Sequence, residues 1–184
     1  MAPGLVAPTV ILMAGPIAVG KTAVAQQLAA DLGAEVVSVR RALVEVLGLS
    51  TTASRDTLQR EGADLDRRTR GAWLVDYLIE RTDRGVAPLV VDSLRTVLQT
   101  EPVLLNVANA RLFYLAAHLV TRRRRYGIAS ATDPVKRSVP FDEAMNHPTE
   151  QRVVELRSLA RLVIDTDDLT IREVADIVGD ALTD

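Results

Sequence analysis

The chain has 184 residues, 48% of them hydrophobic, enough to bury one core and build one domain. A net charge of −2 and 3% aromatics exclude a global basic field and base-stacking platforms, so no nucleic-acid partner is expected. With no cysteine there is no disulfide, thiolate nucleophile or cysteine zinc site, and His118 and His147 are too few for a metal cluster. The apolar runs fall short of the ~20 residues that a membrane span needs. Met1 to Val6 carries no charged start leading into an apolar core, so no signal peptide is read and a cytoplasmic location without a membrane partner is expected.

In chain order, Pro8 to Ala14 is a short apolar run that predicts a strand over Val10–Ala14. It leads into Gly15-Pro16-Ile17-Ala18-Val19-Gly20-Lys21-Thr22, which fits the phosphate-binding pattern G-x-x-x-x-G-K-[ST] at every fixed position. Residues 21–32 follow as a predicted helix that ends at Gly33. Strand, glycine loop and helix form the order that this chemistry requires. Loop amides and the helix N-terminus face a phosphate chain, Lys21 reaches its β- and γ-phosphates, and the Thr22 hydroxyl sits on Mg²⁺. ATP and Mg²⁺ are the expected cofactors.

The second strand is expected at Ala34–Val39, with Arg40 and Arg41 directly after it and a helix over 40–48. Ser54-Arg55-Asp56-Thr57-Leu58-Gln59-Arg60 reads as a capped helix start. A long helical stretch, 55–84, is expected to break near Gly62. Arg40, Arg41, Arg55, Gln59 and Arg60 lie where a phosphate acceptor would be held, although each arginine taken alone also fits a plain surface charge.

The third strand, Pro88–Asp92, ends on a carboxylate and runs into Ser93-Leu94-Arg95. A carboxylate at the tip of a strand beside the loop strand can hold Mg²⁺, and Arg95 three residues on faces the same crevice. The alternative is Asp92 as a helix cap. A helix over 97–108 and a fourth strand, Arg111–Ala117, precede Thr121-Arg122-Arg123-Arg124-Arg125 on a helix over 118–127. Arg122 and Arg125 stand three apart and share a face, as a clamp on a migrating phosphoryl group requires; a solvated basic face is the other reading. A loop at Ser130–Pro134, a helix over 141–160, a fifth strand at Arg161–Asp165 and a helix over 170–182 complete the chain. Continuous apolar strands alternating with helices predict an α/β fold with a five-stranded, mainly parallel, doubly wound sheet.

On Gly15–Thr22, Ser54–Gln59, Trp73, Val90–Arg95, Thr121–Arg125 and Ala160–Asp165, the chain resembles the nucleoside monophosphate kinase branch of P-loop kinases. It looks closest to the deoxynucleoside monophosphate kinase-like group and to the archaeal adenylate and dephospho-coenzyme-A kinase-like group. The resemblance implies a three-layer α/β/α P-loop kinase fold across 1–184. It also implies an acceptor-binding helical segment at about 40–84 and a short lid at about 118–137. By resemblance, residues 54–59 and Arg95 belong to acceptor binding, Arg122 and Arg125 to the lid, and the loop after Ile164 lies near the nucleotide base.

The departures fall in the acceptor half. Val37-Ser38-Val39-Arg40-Arg41 stands where adenylate kinases carry T-G-D-x-L-R, and Ser93 replaces the glycine of the Asp-Gly-x-(Pro)-Arg motif, which also lacks its proline.

Three functions stay open on the sequence. One is γ-phosphate transfer from ATP to a small phosphorylated acceptor, a nucleoside monophosphate first. The second is transfer to a hydroxyl acceptor with Asp92 as general base. The third is a nucleotide-binding regulator without acceptor chemistry. Lys21, Arg95, Arg122, Arg125 and Asp92 are the expected catalytic set, with Thr22 and Asp92 at the metal. A homodimer stays open.

Overall fold

The strands are apolar almost throughout because helices cover both faces of the sheet. The computed structural model describes residues 9–50, 53, 55–83, 88–132 and 139–183. Five strands, β1 (Val10–Ala14), β2 (Glu35–Ser38), β3 (Leu89–Leu94), β4 (Ala110–Ala116) and β5 (Leu162–Asp165), lie in the order β2-β3-β1-β4-β5. Every pairing is parallel, so the sheet is parallel throughout. The chain leaves β1 toward β2 and β3 on one side and later crosses to β4 and β5 on the other. The C-terminal end of β1 is therefore the switch point where open α/β sheets bind ligands.

Alternate residues of each strand feed two separate cores. Val10, Leu12, Leu89, Val91, Leu112 and Tyr114 pack with the larger cluster. It is covered by α2 (Val39–Leu47), α3 (Arg55–Thr69), α4 (Ala72–Asp83), α5 (Val97–Asn106) and a 3₁₀ helix (Val153–Leu159). Ile11, Met13, Val90, Phe113 and Leu115 pack on the opposite face under α1 (Lys21–Leu32) and α9 (Ile171–Thr183). A third, small cluster joins Tyr126 of α6 (Leu119–Thr132) to Phe141 and Ala144 of α7 (Phe141–Met145), with Ile17 and Ala18 of the glycine loop against it. The remaining short helix is α8 (Pro148–Arg152).

Three expectations need correction. The 55–84 stretch does break, but at Arg70 and Gly71, which adopt φ of 52° and 78°. A Cβ on Gly71 would collide with the Leu98 carbonyl oxygen of α5, so the turn needs glycine twice over. Gly62 stays inside α3, where a side chain would meet Leu43 Cδ2 at 2.9 Å. The expected helix over 141–160 is three pieces, α7, α8 and the 3₁₀ helix, punctuated by Asn146 to Pro148. Finally, α6 continues through Ser130 to Thr132, where a loop was expected; Asp133 to Arg137 of the expected lid lie outside the described residues. No helix among the described residues is long and apolar enough to cross a membrane.

Candidate active site

The Gly15–Thr22 loop closes over the C-terminal end of β1. Gly15, at φ 141°, lies so close to β4 that a Cβ would overlap the Leu115 carbonyl oxygen. Lys21 is 8% exposed, and its Nζ donates to the carbonyls of Gly15 (2.7 Å) and Pro16 (2.9 Å), with no carboxylate bonded to it among the described residues. Burial first, then the neighbouring charge of Arg95, lowers its pKa from 10.5 to about 8. A buried ammonium bonded only to neutral carbonyls, under a glycine loop, is a receptor for an anion.

Thr22 Oγ1 donates to Asp92 Oδ2 at 2.9 Å, tying the first turn of α1 to the end of β3. Ser93 Oγ holds the other oxygen, Asp92 Oδ1, at 2.8 Å. The β1–β3 register slips between Leu12 and Ala14, and Ser93 sits in the bulge at φ 72°. A non-glycine residue there costs about 1–2 kcal/mol of backbone strain. The strain aims Asp92 at Thr22. A hydroxyl and a carboxylate oxygen side by side, next to a phosphate cradle, form a donor set suited to Mg²⁺.

A cleft of about 1040 Å³ runs from this point between the loop, α2, α3, α5, α6 and α8. Arg95 lines it, and so do Arg40 and Gln59. Arg41 does not: α2 starts at Val39, so Arg41 is turned about 100° from Arg40 and lies exposed on the helix flank. Ser54 and the side chain of Arg55 lie outside the described residues.

Arg122 and Arg125 share the inner face of α6, whereas Arg123 and Arg124 are exposed. The inner pair differ in their engagement. Arg125 donates to Val19 O, Thr166 Oγ1 and Thr166 O, latching α6 to the glycine loop and to the segment after β5. Arg122 is 6% exposed; among the described residues its Nη2 reaches only Met145 Sδ, and its Nε has no hydrogen-bond partner. Burial lowers its pKa, with the charge of Glu150 opposing. Arg123 instead makes a bidentate pair with Asp142.

Arg60, at the end of the run read for the acceptor, lines the cleft as well. Two further lining arginines, Arg67 and Arg152, were missed in the sequence. Arg67 follows from the helical spacing of α3, two turns after Arg60; Arg152 gives no such sign. At the acceptor end Asp66 is buried, accepting from Trp73 Nε1 (2.6 Å) and Gln99 Nε2 (2.8 Å), and burial raises its pKa. That bond turns the Gln99 amide so that its Oε1 is buried in the cleft wall without a partner among the described residues. Glu150, on α8, was invisible beforehand: it accepts from Ile17 N (2.8 Å) and from Arg95 Nη1 (2.5 Å). Outside the cleft lining, at the ends of β4 and β5, His118, Asp165 and Asp167 bring potential ligand atoms within 4.8 Å of one another, a mixed set that two histidines alone did not suggest. There Asp167 accepts the main-chain N–H of His118 at the start of α6.

No protein-family model matches the sequence, and no curated protein matches it. Solved structures are similar over nearly the whole chain. Shikimate kinase from Acinetobacter baumannii, in complex with shikimate, is 18% identical with a TM-score of 0.63, over 97% of this chain and 94% of that one. Shikimate kinase from Aquifex aeolicus is 16% identical at a TM-score of 0.62, covering 95% and 96%. A gluconokinase from Sinorhizobium meliloti is 14% identical at 0.53, covering 97% and 93%. At this distance the likeness establishes the fold, and the fold is that of the P-loop kinases.

Proposed function

We propose that this chain is an ATP-dependent small-molecule kinase whose acceptor carries a phosphate, a nucleoside monophosphate first. The observation that carries the reading is the division of one cleft. At its donor end lie the glycine loop, the unneutralised Lys21 and the Thr22–Asp92 pair. At its acceptor end stand Arg40, Arg60, Arg67, Arg95 and Arg152; Asp66 is the lining carboxylate among the described residues, and Arg60, Arg67 and Arg95 each also pair with a carboxylate outside the lining, Glu61, Asp64 and Glu150. Such a wall attracts an anion. Leu43, Leu58 and Leu98 add apolar surface, and the unpartnered Gln99 Oε1 asks for a donor N–H, a combination that a nucleobase edge supplies.

The residues then divide the work. The loop amides and Lys21 hold the donor phosphates, and Thr22 and Asp92 would hold Mg²⁺, which supplies charge neutralisation on the phosphate oxygens. Arg95 holds the acceptor phosphate. Arg122 does not line the cleft, but it is buried and uncommitted, its charge acts on Lys21, and on this reading it would neutralise charge that develops on the transferred group. A phosphate oxygen attacks without losing a proton, so no general base is required.

The second reading, a hydroxyl acceptor, is favoured by the shikimate kinases and the gluconokinase among similar structures. It would use Asp92 as base, and Asp92 is committed through both oxygens to Thr22 and Ser93. ADP release measured with a panel of nucleoside monophosphates, a panel of alcohols and no acceptor separates the readings. Release driven by monophosphates is the expected outcome. Release driven by alcohols alone replaces it with the second reading, and acceptor-independent behaviour throughout leaves only a nucleotide-binding regulator.

A further inference from the structure

We infer that Glu150 is a positioning residue that fixes the acceptor-binding Arg95 to the donor loop; this rests on the kinase reading above. The Glu150 side chain is 4% exposed, yet its two oxygens serve two different parts of the site. Oε2 accepts the main-chain N–H of Ile17, the third residue of the glycine loop, and Oε1 accepts from Arg95 Nη1. One carboxylate thus joins residues 133 and 55 positions away in sequence.

Its own placement is stiff. His147 caps α8 by accepting from Thr149 N, Pro148 fixes the first turn, and Glu150 follows within that turn. The adjoining 3₁₀ helix is anchored in the larger core by Val153 and Leu156.

The chemistry of the bridge is directional. Among the described residues only Nη1 of Arg95 is taken, so Nε and Nη2 remain for a ligand while the guanidinium plane is held from behind. The carboxylate also lies among Lys21, Arg95, Arg122 and Asp92, opposing the repulsion that otherwise pushes Arg95 away from Lys21. Donor and acceptor phosphates are then held by groups that share one rigid link. Their separation is set before either ligand arrives, which is where in-line transfer gains most.

The test uses the full chain and two readouts, binding of diadenosine pentaphosphate against ATP by calorimetry and turnover of the best acceptor from the panel. Wild type is expected to bind diadenosine pentaphosphate more tightly than ATP, because that probe spans both ends of the cleft. Glu150→Ala and Glu150→Gln should lose about 10–100-fold in that binding and in acceptor kcat/KM, with ATP affinity kept within about threefold. Arg95→Ala should lose as much, and the double variant no more, since both act through one guanidinium.

Unchanged diadenosine pentaphosphate binding, losses that add to those of Arg95→Ala, or an equal loss of ATP affinity overturns the proposal while leaving the kinase reading intact. Wild type that binds the probe no better than ATP and turns over no acceptor overturns both. Should Glu150→Ala fail to fold, the isosteric Glu150→Gln carries the test.

Discussion

Lys21 ties protonation to nucleotide binding. Its pKa near 8 in the free protein reflects burial and Arg95, and a bound polyphosphate would restore the charged form. ATP affinity should therefore fall as pH rises through about 8, and binding at pH 8.5 should take up a proton, read by calorimetry in buffers of different ionisation enthalpy. The sign for stability is opposite. Between pH 8 and 10.5 the unfolded chain holds more protons than the native one, so the free protein gains stability with pH across that window. Lys21→Met should remove both dependences and lower turnover by about 10²-fold or more; pH-independent ATP binding by wild type would refute the assignment.

The arginines of α6 rank by their partners. Arg122→Ala should lower kcat by about 10²–10³-fold with little change in KM for ATP, because its guanidinium is buried and unspent. Arg124→Ala should change neither. Arg125→Ala should show mainly as a loss of about 1–2 kcal/mol of stability, since its bonds go to Val19 and Thr166. Equal kinetic effects from Arg122 and Arg124 would refute this ranking. The glycine loop was legible in the sequence because its chemistry is contiguous, and the inner pair of arginines because helix geometry is local. Glu150 was not, for nothing in its own neighbourhood reports that Ile17 and Arg95 fold against it.

At the scale of elements, strand positions were readable from their unbroken apolar character and helix ends less so. The break at Arg70–Gly71 was misplaced to Gly62 because both glycines look alike in sequence. The distinction is tertiary, a Leu43 side chain against α3 in one case and the Leu98 carbonyl in the other. Gly71→Ala should accordingly cost about 2–4 kcal/mol in chemical denaturation, combining positive φ with a steric clash. The end of α9 gives a milder case. Arg111 of β4 donates to the carbonyls of Ala181 and Leu182, and Arg161, just before β5, to Ala181, so the two arginines cap the C-terminus of that helix. Arg111→Ala should lower stability by about 1 kcal/mol and leave turnover unchanged. A larger effect on turnover than on stability would show that α9 reaches the site.

For the molecule as a whole, ATP with Mg²⁺ should stabilise the folded chain by mass action, about 2.7 kcal/mol at a hundredfold excess over Kd. A melting temperature indifferent to ATP would contradict donor binding. The sheet separates two apolar clusters, and the separation follows chemical role. The glycine loop and α1 lean on the smaller cluster with α9, whereas α2, α3 and α5, which line the acceptor end, are rooted in the larger one. Heredity can act on the two sides at different rates. Substitutions that reshape α2, α3 and α5 propagate through a core that α1 does not share, so a lineage can exchange one acceptor for another while its phosphate-donating half stands still. The same partition makes those helices a natural cassette for retargeting the protein by engineering.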